Sequence, residues 1–314
     1  MKKKAILTGI LIIGAFFAII YLFIPSVVRV SATQTLALPV QAATRTFSDG
    51  VKLKSWWPDS IPGNGKISFK NFTFRFAKFD ISNMLGVTIF KDNQYEDSLS
   101  SVLNFLVLGN DSSIINWKCE LKTSLSPIVR VRQFLKFQEL KKTMSSILSS
   151  FSQYGSNVTN IYGFNIQREK VPDSIVVSEK HEYTYYPGTS EIYASIHSLE
   201  EYLRQQNATQ SNLPMYNITP DGNKYKLMTA IPINKEIKES AAQKIKNLLY
   251  HGNILTAEIT GGNYCLDNAF KSLTNYIRDY ELTPVAISYQ VLLTDRQKNT
   301  DTSQWKTKIC FPIY

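Results

Sequence analysis

Residues 198–204 read SLEEYLR, and 74 residues later residues 272–278 read SLTNYIR. Each copy follows a glycine turn, which is Pro187-Gly188 before the first copy and Gly261-Gly262 before the second. A shared spacing that extends over some fifty residues is hard to obtain by chance. The C-terminal half of the chain is therefore predicted to contain an internal duplication.

Each copy is predicted to fold as strand, helix, strand, strand, because β-branched strand segments flank one helical pattern with turn signals between them. The first unit extends over residues 175–233 and the second over residues 254–313. Residues 235–250 between them are expected to form a helical or irregular connector. Two such units facing each other around a pseudo-twofold axis leave a cleft at their junction, where a small molecule can bind.

The part of the chain before the duplication shows a different pattern. Residues 27–38 alternate like a strand, residues 66–123 are rich in strand segments with short turns, and residues 131–151 have the spacing of an amphipathic helix. The predicted fold class is α+β. The expected organisation is an anchor over residues 1–25, a first domain over 26–151, a linker over 152–161 and a second domain over 162–314.

Residues 5–24 form an uncharged run of twenty residues that is followed by Pro25. A helix of this length covers about 30 Å, the thickness of the hydrocarbon core of a bilayer. Lys2, Lys3 and Lys4 precede the run, which favours a cytoplasmic N-terminus and extracytoplasmic domains. The sequence thus predicts a single-pass membrane anchor.

The second domain contains several short motifs at a fairly specific spacing. They are Tyr186-Pro187, Ala230-Ile231-Pro232-Ile233, Gly261-Gly262, Tyr276-Ile277, Leu293-Thr294-Asp295-Arg296 and Lys308-Ile309-Cys310-Phe311-Pro312-Ile313. With these motifs, residues 162–314 resemble the GyrI-like small-molecule-binding domain, which is also the effector-binding domain of AraC-type and MerR-type bacterial regulators. On weaker motifs, residues 26–151 resemble the SRPBCC (START-like, polyketide-cyclase-like) helix-grip fold. Both resemblances imply a cavity for an apolar or amphipathic molecule.

One position departs from the GyrI-like pattern. Many members of that family have a buried glutamate four residues before the final proline, and this chain has Lys308 there. A lysine repels a lipophilic cation and does not replace a carboxylate as a base unless its pKa is strongly lowered. The substitution argues against cation sensing and against the hydrolase activity of some members.

The expected ligand-binding residues are mainly aromatic side chains on or near the elements that would line the junction of the two units. Aromatic walls with a few polar groups suit a drug-sized molecule, although the same residues also serve as ordinary core packing. The predicted set is Tyr183, Tyr193, Tyr225, Glu258, Tyr264, Tyr289, Trp305 and Lys308. No catalytic residue, metal ligand or cofactor is predicted, because the three histidines lack zinc spacing and no phosphate-binding motif occurs.

The net charge of +10 is too dilute to indicate nucleic-acid binding without a basic motif, and no helix-turn-helix pattern precedes the duplication. The sequence therefore favours a membrane-anchored protein that binds a small organic molecule and no nucleic acid. Two alternatives stay open. One is a hydrolase or cyclase-like enzyme, with Glu258 as the first acid to test, and the other is a non-catalytic envelope interaction module.

Overall fold

The computed structural model of the 314-residue chain describes residues 2–59, 61, 67–77, 83–91 and 94–314. The chain divides into two compact units, Met1–Asn157 and Val158–Tyr314. Each unit contains one antiparallel sheet with helices. The predicted α+β class is confirmed.

The first unit contains one six-stranded sheet with the strand order β1-β6-β5-β4-β3-β2. Its elements are α1 (Lys2–Phe23), β1 (Val27–Leu36), α2 (Val40–Ser48), α3 (Gly50–Trp56), β2 (Ile67–Phe69), β3 (Phe72–Phe76), β4 (Met84–Lys91), β5 (Gln94–Val107), β6 (Ser113–Lys122) and α4 (Pro127–Gly155). Helix α4 packs against β1. Trp56 and Trp57 are both buried, and the ring of Trp56 lies 4.8 Å from that of Phe151. They therefore belong to the core of this unit.

Residues 5–23 of the apolar run at the N-terminus lie within α1. No helix in the described part of the chain combines the length and the apolar character that crossing a membrane requires. The transmembrane helix predicted over residues 5–24 thus finds no support in the structure.

The second unit contains one eight-stranded sheet with the strand order β11-β8-β10-β9-β13-β14-β12-β7. Its elements are α5 (Val158–Tyr162), β7 (Ile166–Lys170), β8 (Ile175–Tyr183), α6 (Thr189–Gln205), β9 (Met215–Asp221), β10 (Lys224–Pro232), β11 (Lys244–Asn247), β12 (Asn253–Thr260), α7 (Asn263–Asp279), β13 (Tyr289–Leu292) and β14 (Lys306–Ile313). The order strand, helix, strand, strand occurs twice, as β8-α6-β9-β10 and β12-α7-β13-β14. The two repeats meet where β9 pairs with β13.

The two repeats build their helices in the same way. Helix α6 buries Ile192, Ile196, Leu199 and Leu203, whose spacing of three and four residues forms one apolar stripe. Helix α7 buries a matching stripe that includes Leu273. Asn207 and Glu281, again 74 residues apart, follow the two helices with φ angles of 51° and 54°. Each helix therefore ends at the same kind of left-handed residue.

Both helices pack on one side of the sheet, which we call the helix face. Val177 of β8 lies in the core of α6 with Leu199, whereas its neighbour Val176 lies in a separate cluster with Met215 and Ala230. Successive side chains of a strand point to opposite sides of a sheet. Val176, Met215 and Ala230 therefore lie on the other side, which we call the open face.

Some elements differ from the sequence-based expectation. The connector over residues 235–250 contains a strand, β11, because Lys244–Asn247 pairs with β8 and forms the edge of the sheet. Within the second predicted unit, residues 254–313, strand β13 is short and extends only over Tyr289–Leu292. Part of the segment expected to be a linker is helical, since α4 continues to Gly155 and α5 begins at Val158. The region predicted to be rich in strands, residues 66–123, contains β2 to β6, while residues 66, 78–82, 92 and 93 of it lie outside the described residues.

Candidate functional site

An apolar cavity of about 210 Å³ lies on the open face of the second unit, at the junction of the repeats. We call it the seam cavity. The first repeat contributes Val176, Met215 and Ala230 to its lining, and the second contributes Tyr289 and Pro312. Both repeats are thus needed to form this cavity.

Strand register explains why these side chains converge. Met215 of β9 lies directly opposite Val291 of β13, which is the point where the repeats join. Tyr289 lies two residues before Val291 and therefore on the same face. Leu248 and Leu249, which follow β11, also line the cavity. The connector between the repeats therefore contributes to the enclosure of the seam cavity.

The seam cavity has one charged group in its lining. Lys246 lines it and donates a hydrogen bond to Sδ of Met228 at 2.8 Å. Burial lowers the pKa of Lys246, and the nearby charge of Lys180 lowers it further. The other lining groups are mostly aliphatic or aromatic, so the cavity suits an apolar guest.

A smaller cavity of about 170 Å³ shares Met215 and Tyr289 with the seam cavity. We call it the lysine cavity, because Lys308 lines it together with Glu169 and Glu258. Nζ of Lys308 lies 2.8 Å from Oε2 of Glu169, and Thr256 donates a hydrogen bond to the other oxygen of that carboxylate. The polar end of this pair of cavities therefore includes an ion pair.

The titration of the groups around the lysine cavity follows from these contacts. Burial acts to raise the pKa of Glu169, but the hydrogen bonds from Lys308 and Thr256 and the charge of Lys308 outweigh it, so that the pKa is lowered. Burial raises the pKa of Cys310 to about 12 and also raises that of Tyr289. At neutral pH Cys310 and Tyr289 therefore contribute a neutral thiol and a neutral phenol to the wall, beside the Lys308–Glu169 ion pair and the side chains of Lys170, Asp173 and Glu258.

The helix face has its own opening at the junction, a cleft of about 300 Å³. We call it the arginine cleft, because Arg296 lines it together with Trp305 and residues from the first turns of α6 and α7. Gly188 and Gly262, which are 74 residues apart, precede these helices and line the cleft. The neighbouring Gly261 has a φ of 130°, and a Cβ there would lie 2.7 Å from Sγ of Cys265. Only glycine fits this turn without strain.

The pseudo-twofold axis that relates the two repeats passes through residues that line the arginine cleft. Tyr216 and Gln290 are 74 residues apart, pair with each other across β9 and β13, and both line the cleft. The hydroxyl of Tyr216 donates to Oε1 of Gln290 at 2.5 Å. Equivalent positions of the two repeats thus meet at the axis.

The predicted ligand residues are distributed over several places. Tyr289, Glu258 and Lys308 line the open-face cavities, and Trp305 lines the arginine cleft. Tyr193 lines a separate groove beside His197. The structure does not bring these five side chains to a single site.

The other three predicted residues line none of these cavities. Tyr183 and Tyr225 pair across β8 and β10, and their rings lie next to Tyr185 and Tyr186, respectively. Tyr264 is 79 % exposed on α7. A role for these three in ligand binding stays a prediction from the sequence.

Sequence reasoning missed the residues at the centre of the junction. Met215, Tyr216 and Gln290 belong to no motif, and Arg296 ends the Leu293–Arg296 motif but was not predicted to bind a ligand. The 74-residue spacing of the repeat also relates Tyr216 to Gln290, and this spacing could have identified the two residues as equivalent positions near the pseudo-twofold axis. No comparable signal marks Met215 as a lining residue.

The similarity of this chain to known proteins is low. No known protein family and no curated protein matches this chain. Among solved structures, the EcmrR–DNA complex is 17 % identical over 60 % of this chain and 72 % of that chain, with a TM-score of 0.43. SAV2435 bound to tetraphenylphosphonium is 14 % identical over 48 % and 94 %, with a TM-score of 0.31. A START superfamily protein from Mycobacterium smegmatis is 16 % identical over 38 % and 97 %, with a TM-score of 0.27.

Proposed function

We propose that this protein binds a small apolar or amphipathic molecule in the seam cavity of its second unit. The observation that carries the proposal is an apolar cavity of about 210 Å³ whose walls come from both repeats and from the connector between them. A cavity of about 150 Å³ already suffices to hold benzene. Together with the adjoining lysine cavity, the space reaches the lower range of pockets for drug-sized ligands.

The chemistry of the two cavities favours an amphipathic guest. Its apolar part would lie against Met215, Ala230 and Tyr289, and its polar end would reach the Lys308–Glu169 pair. Lys308 stands where the GyrI-like pattern has a glutamate, and it pairs with Glu169, so this position offers no unpaired carboxylate to a lipophilic cation. Because Asp173 and Glu258 also line the lysine cavity, a neutral amphipathic molecule is the ligand class that we propose for this site.

We infer a binding role without chemistry at this site. The thiol of Cys310 and the phenol of Tyr289 are both held neutral by burial, which makes them poor nucleophiles and bases near neutral pH. Membrane anchoring through residues 5–24 stays a prediction from the sequence, and fractionation of cells that express the full chain tests it separately.

Fluorescence titration of the full chain with N-phenyl-1-naphthylamine, a neutral apolar probe, tests the proposed site. Ala286 is exposed and lines the mouth of the seam cavity, so Ala286→Trp should block entry without disturbing the core. Ala241 is also exposed but lines none of the cavities described above, so Ala241→Trp is the matched control.

We expect the wild type and A241W to bind the probe equally, and A286W to bind it about tenfold more weakly, which corresponds to about 1.4 kcal/mol. Absence of binding to the wild type contradicts the proposal. Equal binding by all three proteins contradicts it as well, because the probe would then occupy another part of the chain.

A further inference from the structure

The arginine cleft contains a buried positive charge that the proposed function does not use. Arg296 is only 4 % exposed. Its Nη2 donates to Oγ1 of Thr307 at 2.7 Å, and its Nη1 donates to the hydroxyl of Tyr216 at 3.3 Å. Its Nε has no hydrogen-bond partner among the described residues. A guanidinium has five N–H donors, so most of its capacity is not used by these two hydroxyl groups.

No carboxylate neutralises this guanidinium among the residues that the structure describes, since none of the described ion pairs includes Arg296. The adjacent Asp295 accepts hydrogen bonds from the backbone N–H groups of Gln297 and Lys298, and its carboxylate pairs with Nζ of Lys298 at 3.3 Å. Buried charges in proteins are normally paired. Arg296 is an exception to this rule, and a bound anion would supply the missing partner for its charge.

The surroundings of Arg296 add to the preference for an anion. The α7 terminus at the cleft has no side-chain cap and no acidic residue in its first turn, so its positive dipole end is not compensated. The α6 terminus differs, because the Glu191 side chain accepts the N–H of Gly188 at 2.9 Å. Asp267 is the acidic side chain in the lining of the cleft, and it is exposed.

The cleft also offers aromatic surface. The ring of Trp305 lies 4.6 Å from the guanidinium of Arg296, and its Nε1 is fixed by a hydrogen bond to the carbonyl of Asn299. Phe270 and Tyr186 line the same cleft. A flat apolar body can therefore pack against these rings while an acidic group faces the arginine.

We infer that the arginine cleft is a second binding site, and that its ligand is a small aromatic carboxylate. A carboxylate matches the planar donor arrangement of a guanidinium, and a buried charge-assisted hydrogen bond is among the stronger kinds in proteins. This site lies on the helix face, opposite the seam cavity, and does not depend on the function proposed above.

Isothermal titration of the full chain with three probes of the same size tests the inference. The probes are benzoate, neutral benzamide and cationic benzamidine. We expect benzoate to bind with one site per chain, benzamide to bind at least about tenfold more weakly, and benzamidine not to bind. Equal affinity for benzoate and benzamide, or preference for benzamidine, overturns the inference without the need for any variant.

Variants identify the site. Asp267→Asn removes the acidic side chain of the cleft and should tighten benzoate binding about threefold, whereas Glu236→Gln, at an exposed position that does not line the cleft, should leave it unchanged. Arg296→Lys keeps the charge but loses the planar donors and should weaken binding at least about tenfold. Unchanged or weaker binding in D267N contradicts the inference.

The seam-cavity variant separates the two proposals. Ala286→Trp should leave benzoate binding unchanged, because Ala286 lines the seam cavity on the open face. If A286W abolishes benzoate binding, the anion binds in the seam cavity and the second site is refuted. If benzoate binds as expected while the neutral apolar probe does not bind at all, only the proposed function fails.

Discussion

Removal of a single hydroxyl at the pseudo-twofold axis should destabilise the second unit. In the variant Tyr216→Phe, the ring stays the same size, but Oε1 of Gln290 loses its donor and Nη1 of Arg296 loses its acceptor. Burial raises the pKa of Tyr216, so its hydroxyl is neutral in the wild type and serves as both donor and acceptor. Gln290 and Arg296 are both buried, which limits rescue by bulk water.

The size of the effect follows from these two contacts. A buried polar group left without its partner costs about 1–3 kcal/mol. The contact to Gln290 is short, at 2.5 Å, and the contact to Arg296 is longer, at 3.3 Å. We therefore expect Y216F to lose about 2–4 kcal/mol of unfolding free energy, with the contact to Gln290 contributing most.

The measurement must report on the second unit alone, because a chain with two compact units can unfold in two separate transitions. Of the four tryptophans, Trp305 lies in the second unit, so the fluorine NMR signal of 5-fluorotryptophan at this position can be followed in a urea titration. The control is Tyr264→Phe at a 79 % exposed position, which should change stability by less than about 0.5 kcal/mol. A loss in Y216F as small as that of the control would refute the reasoning.

Two further predictions concern titratable groups. A thiol reagent at pH 8 should modify Cys265 in the folded chain and spare Cys119 and Cys310. Burial raises the pKa of Cys119 to about 11 and that of Cys310 to about 12, so both thiols stay protonated. Rapid modification of all three cysteines contradicts this prediction. Since the folded-state pKa of Glu169 is lowered from 4.5, its pair with Lys308 stabilises the chain above that pH and is lost as the pH falls. Urea titrations should therefore give Glu169→Gln a lower unfolding free energy than the wild type at pH 7 and a nearly equal one at pH 3. A difference in unfolding free energy that is larger at pH 3 than at pH 7 contradicts the pairing.

The repeat could be predicted from the sequence because its signals are periodic. The apolar stripes around Leu199 and Leu273 and the glycine turns before them follow directly from residue spacing. A strand that forms only by pairing with an edge has no such signal. Strand β11 was missed for this reason, since Lys244–Asn247 contains two lysines and is stabilised by its partner β8.

The candidate site was harder to predict, because it depends on which face of the sheet each side chain occupies. Tyr183 lies in β8, where Val176 and Val177 point to opposite faces, and its place in the strand puts it on the face of Val177 with α6. It therefore lies away from the seam cavity. Sequence reasoning selected aromatic residues by type, whereas the cavity is lined largely by aliphatic ones such as Met215 and Ala230.

Methionine methyl NMR can locate an apolar guest directly, since two of the five methionines line the seam cavity. With N-phenyl-1-naphthylamine added to the full chain, we predict that the methyl signals of Met215 and Met228 shift, while that of Met144, buried in the first unit, stays in place. A shift of the Met144 signal with no change at Met215 and Met228 would show that the molecule does not bind in the seam cavity.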